Sequence, residues 1–66
     1  MNERLPELLD AKALAHELGV TRAAAEKIMR QLPVVQFEGL RKVYVRRADV
    51  AALLEARTFQ KNEVAA

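Results

Sequence analysis

The chain reads as a mainly α domain with one small β-hairpin: three short helices and a two-stranded wing. Three observations carry that expectation. Two apolar stripes of helical period lie either side of Gly19-Val20, the period changes to two between Val34 and Val45, and helical spacing returns at Val50, Leu53 and Leu54. The 66 residues suffice for one domain, 1–66, with an expected core of about 8–57 and a frayed tail over 58–66.

Residues 1–9 form an approach segment in which Leu5, Leu8 and Leu9 can dock on the core, while Pro6 disfavours a helix interior. Asp10 is placed as an N-cap, its carboxylate accepting from a free amide of the next turn. The first helix then spans about Ala11 to Leu18, with Leu14, Ala15 and Leu18 as a narrow apolar stripe. Gly19 follows where a left-handed residue would end the helix. Val20 is expected to tuck beneath both helices.

Thr21 is the second N-cap, and the second helix is expected to run to about Gln31, stopped by Pro33. Ala25, Ile28, Met29 and Leu32 make its core face at i, i+3, i+4 and i+7. At about 100° per residue the other side carries Ala23, Lys27 and Arg30, with Glu26 on its flank and Arg22 at the exposed start. Glu26 is spaced to pair with Arg22 or Arg30 at i±4.

From Val34 the alternation predicts a hairpin with Val35, Phe37, Val43 and Val45 on one buried face. Parity then pairs Val35 with Val45 and Phe37 with Val43, leaves the loop Gly39-Leu40-Arg41, and sets Glu38 opposite Lys42. Arg46 and Arg47 lead into a third helix, roughly Ala48 to Arg57. Of the tail, Phe59 is the residue expected to dock.

Net charge is only +2, but it is unevenly spread. Residues 1–21 carry −2, residues 22–47 carry +5 and residues 48–66 carry −1. A basic middle third attracts phosphates; the bland reading is an ordinary solvated surface. Enzymatic readings find no support. His16 is the only histidine, cysteine is absent, and the two glycines lie twenty residues apart, so a nucleophile pair, a thiolate metal site and a phosphate-cradling loop all lack their residues. No cofactor is implied. No apolar run approaches the roughly 20 residues of a membrane span, and the N-terminal residues lack a signal peptide's apolar centre. A cytoplasmic protein is expected.

The stretch Asp10 to Leu32 satisfies the steric needs of a helix-turn-helix. Ala15 is small where the helices approach, Gly19 reverses the chain four residues later, and Leu14, Leu18, Val20, Ala25 and Ile28 occupy the interlocking positions. The alternative is an αα-hairpin that binds no nucleic acid, against which the basic outer face of the second helix argues.

Three segments carry a more specific likeness: Leu8-Leu9 before the first cap, Leu18-Gly19-Val20-Thr21-Arg22, and Arg47-Ala48-Asp49-Val50 opening the last helix. With these the chain resembles, over about Leu8 to Arg57, the MerR-like winged helix-turn-helix of phage excisionases, or recombination directionality factors. The wing is longer than is usual there, with Glu38 where such wings often carry glycine. The resemblance implies a non-catalytic architectural protein that binds adjacent DNA sites cooperatively and bends them. Its partners would be double-stranded DNA, further copies of itself arranged head to tail, and a site-specific recombinase (integrase) whose excision it favours. Thr21, Arg22, Ala23, Lys27 and Arg30 would meet bases and phosphates in the major groove. Arg41 and Lys42 would serve as the wing contacts at the minor groove or adjacent backbone. Arg46 and Arg47 either hold the backbone or cap and flank the last helix, and Tyr44 either touches a phosphate or is simply exposed. The same domain shape serves small transcription regulators without an effector domain. A reading of another class is a protein-interaction module that docks a partner through Leu5/Leu8 or Phe59.

Overall fold

The computed structural model describes residues 7–60. Its elements are β1 (Leu8–Leu9), α1 (Ala11–Leu18), α2 (Arg22–Met29), β2 (Val35–Gln36), β3 (Val43–Arg46) and α3 (Arg47–Ala56). Three helices and a three-stranded antiparallel sheet in the order β1-β3-β2 give a winged-helix layout.

Both helix starts follow the expected chemistry. The Ala13 amide donates to Asp10 Oδ1 at 2.8 Å, and the Ala24 amide donates to Thr21 Oγ at 3.1 Å. Gly19 ends α1 at φ 69°, ψ 34°. Its amide donates to the His16 carbonyl and that of Val20 to the Ala15 carbonyl, the pair of bonds that defines a Schellman motif. The motif uses Val20 through its backbone. The side chain is 38% exposed, so it does not tuck beneath the helices as its apolar character suggested. α2 ends at Met29, two residues before the expected Gln31. Gln31 and Leu32 instead donate three residues back, to Ile28 and Met29, in a tightened last turn. Pro33 disfavours helical backbone in the residue before it, which accounts for that early stop.

The core is small. Leu9, Leu14, Ala25, Met29, Val45 and Val50 are buried, with Leu14 and Val45 fully enclosed. Ala15, Leu18, Ile28, Leu32 and Val43 pack around them. Leu8-Leu9 does dock, as expected of an apolar pair, but it does so as a strand. Leu8 sits opposite Arg46 and Leu9 opposite Val45, and the Arg47 amide donates to the Glu7 carbonyl to extend the ladder. A two-residue run holds too little pattern to be recognised as a strand from sequence.

The hairpin register corrects the sequence expectation. Val35 opposes Tyr44 and Gln36 opposes Val43, one residue away from the expected pairing. Such a slip moves a whole strand's side chains to the other face. Val43 and Val45 still face inward, but Val35 now shares the outer face with Tyr44. Phe37 is 46% exposed and meets the Tyr44 ring edge-on, with centroids 6.0 Å apart. The reason is room: the core around Val45 is already filled by Leu9, Leu14 and Val50, and a phenylalanine gains more by pairing with a ring outside. The loop is accordingly six residues, 37–42, rather than Gly39-Leu40-Arg41. It turns through Phe37–Leu40, closed by the Leu40 amide on the Phe37 carbonyl at 3.0 Å, with Gly39 at φ 87°. A positive φ at the third turn position is what type II geometry requires. Glu38 does not pair with Lys42, which reaches Asp10 instead.

α3 starts directly after β3 and buries Val50, while Leu53 is half-buried and Leu54 is 47% exposed. Phe59 is 55% exposed and does not dock as expected. Leu5 and the tail beyond Gln60 lie outside the described residues. Among the described residues, no helix is long and apolar enough to cross a membrane.

Packing this economical makes the enclosed residues disproportionately important. A chain of this length has a total stability of about 3–10 kcal/mol. Leu14→Ala removes a fully enclosed side chain and should cost about 3 kcal/mol, a large part of the whole. Leu54→Ala should cost less than about 1 kcal/mol. Urea denaturation followed by circular dichroism measures both, and equal losses would contradict the core as described.

Candidate nucleic-acid interface

The packing of α1 on α2 brings the start of α1 beside the outer flank of α2, and the hairpin closes the third side. Between them lies an open groove of about 520 Å³. Its floor is apolar, built from Ala11, Met29, Val34 and Val43. Its walls carry Lys12 from α1, Arg22 and Arg30 from α2, and Arg41 and Lys42 from the wing, against the carboxylates of Asp10 and Glu26. Five cations face two anions across one concavity. Low-dielectric walls of one predominant sign focus field and concentrate anions.

Two of the cations have local partners. Arg22 Nε lies 3.5 Å from Glu26 Oε2, the i,i+4 pair that the sequence spacing allowed, with both side chains largely exposed. Lys42 Nζ lies 3.0 Å from Asp10 Oδ2. Lys12, Arg30 and Arg41 have no carboxylate partner among the described residues. Surface pairs of this kind are weak, so the two partnered cations can exchange a carboxylate for a phosphate at little cost.

Asp10 links the parts. One oxygen caps α1 and the other holds the wing through Lys42. The Ala13 amide first, then the Lys42 ammonium, hold the Asp10 carboxyl below the ordinary aspartate range. Asp10 in turn raises the Lys42 ammonium above the ordinary lysine value.

The remaining residues expected at the interface divide between two places. Ala23 and Lys27 are exposed on the outer ridge of α2, about 100° and 140° around the axis from Arg22, and do not line the groove. Thr21 is exposed at the helix start but its hydroxyl is occupied as the cap. Arg46 and Arg47 lie outside the groove. Arg46 Nε is 2.7 Å from Asp49 Oδ2, in the first turn of the helix it precedes. Arg47 bridges Glu7, at 2.5 Å, and Glu17, at 2.9 Å, tying the β1 approach and the end of α1 to the start of α3. Of the two roles open to this pair, their observed contacts are those of flanking α3. Glu17 is held below, and Arg47 above, their ordinary values, chiefly by the hydrogen bond between them. Tyr44 is half-buried against Phe37.

Lys12 is the groove cation that sequence reasoning did not assign to the interface. On a helical wheel it is simply a residue off the apolar stripe. Only the crossing of α1 over α2 reveals which side of the molecule it serves.

A carboxylate with a depressed folded-state pKa stabilises the fold above its unfolded value, and that contribution disappears as pH falls through the folded value. For Asp10 and Glu17 the loss therefore lies below about pH 4. Thermal melts should show the transition temperature falling from pH 5 toward pH 2–3, and less steeply in the double variant Asp10→Asn, Glu17→Gln. An unchanged slope would mean that neither bridge stabilises the fold. Comparison of the chain with protein-family models, curated proteins and solved structures finds no match.

Proposed function

We propose that this protein is an excisionase-like, non-catalytic DNA-binding protein that bends DNA and thereby directs a site-specific recombinase. The observation that carries the DNA-binding part is the basic groove between α2 and the wing, continued by the exposed Ala23-Lys27 ridge. In this reading the ridge of α2 enters the major groove, where Lys27 and Arg30 reach base edges or phosphates and Ala23 lies against a thymine methyl. Arg22, Arg41 and Lys42 take the flanking backbone, with Lys12 completing the cationic wall.

The recombination part rests on the sequence resemblance and on size. One domain with a single recognition helix reads few base pairs and binds weakly alone. Repeated sites filled by adjacent copies raise both affinity and specificity. The same surface would serve a small promoter-binding regulator, and the location of its sites separates the two roles.

A gel-shift titration with the DNA flanking the protein's own gene, including any recombinase attachment site, tests the proposal. A ladder of cooperative shifts over the attachment site supports it, and binding confined to a promoter favours the regulator. No binding at low salt sinks both, and salt-insensitive capture of a protein would favour an interaction module. With five groove cations engaged, log K against log salt should fall with a slope of roughly −4 to −5. Arg30→Ala should keep the fold, weaken binding and reduce that slope by about 1, because Arg30 is exposed and lies off the core face. Unchanged affinity and slope would remove α2 from the interface.

A further inference from the structure

We propose that Leu40 is an apolar wedge that enters the minor groove, separates a base step and so produces the bend. The inference rests on the DNA-binding reading above and assigns the bending to one side chain.

Leu40 is 53% exposed in the 37–42 loop. An isolated exposed leucine needs no explanation by itself, so the argument rests on its setting. Gly39 precedes it, and a Cβ there would meet nothing within 4 Å beyond its chain neighbours, so the backbone is open at that position, with Glu38 as the one acidic side chain of the loop. Arg41 and Lys42 follow it, and both line the basic groove. An apolar tip bracketed by a glycine and two cations suits a polyanion with an apolar interior, which describes duplex DNA approached through its minor groove. Leucine is among the side chains that separate base steps there. Leu54 is comparably exposed but shares a shallow cleft with Ile28, Gln31, Leu53 and Arg57, where cations do not flank it on the chain.

A wedge also needs a stiff mount, since a loose loop would swing aside rather than push. The Phe37–Leu40 turn is closed by its backbone hydrogen bond, and Gly39 takes up the positive φ without strain. Behind the turn, Phe37 and Tyr44 meet edge-to-face across the hairpin. The returning chain then enters β3, which pairs with both β2 and β1. This gives the outward-turned Phe37 a use that the core does not.

The test uses the full chain and an A·T-rich duplex of about 30 base pairs containing TA steps, dye-labelled at both ends, at low salt. Wild type should raise energy transfer between the dyes, as a bend of about 20–90° requires. Leu40→Ala and the equally long but polar Leu40→Gln should lose more than half of that change. Both should bind within roughly tenfold of wild type, because the cost of unstacking vanishes together with the wedge's contacts. Leu40→Phe should restore the bend. Arg41→Ala should behave differently, losing affinity and reducing the salt slope by about 1. Wild type that binds without bending, or a Leu40→Ala variant that bends as wild type does, overturns the wedge while leaving DNA binding intact. Wild type that fails to bind the duplex at low salt overturns both.

Discussion

The enclosure of Leu14 and Val45 is the constraint on which the other features depend. Leu14 belongs to the helix-turn-helix and Val45 to the central strand, so a single small core fixes α1 and α2 relative to the wing. Two alanines make this possible. Ala25 is fully buried and Ala15 half-buried, and side chains of that size let α1 and α2 come close enough for so few apolar residues to fill the space between them. The same economy determines what is left outside: once Leu9, Met29 and Val50 complete the cluster, Phe37 and Leu54 find no place in it.

Charge is arranged in a complementary manner. Away from the groove, Arg46 and Arg47 are matched by Asp49, Glu7 and Glu17. Inside the groove the match is incomplete, and Lys12, Arg30 and Arg41 have no carboxylate partner among the described residues. A net charge of +2 thus conceals one neutralised face and one that is cationic. Asp10 stands at the boundary, where it caps a helix and also sets the wing against it.

Much of this was legible in the residues themselves. Asp10, Thr21 and Gly19 announce their roles because capping is local chemistry, decided within four residues, and α1 falls where the sequence places it. Periodicity likewise located all three helices to within two residues at each end. What could not be read was what depends on space rather than period. Alternation shows that a strand has two faces but not how much volume waits beneath each, so it places Phe37 in a core too small for it. Leu8-Leu9 has no period at all, and only β3 makes it a strand. The basic wall was visible in part: the α2 and wing cations stand out in the sequence, whereas Lys12 and the Asp10–Lys42 bridge arise from tertiary approach.

The pairing of β1 with β3 joins residues 8 and 9 to residues 46 and 45, nearly the full span of the domain. The helix-turn-helix between them is assembled from neighbours in the chain and can form early. The strand that completes the core is made of contacts with the highest sequence separation, whose loop entropy must be overcome before they contribute. Until β3 supplies Val45, the apolar faces of α1 and α2 lack a residue that encloses them. Closing β1 on β3 thereby commits residues near both ends of the described chain together.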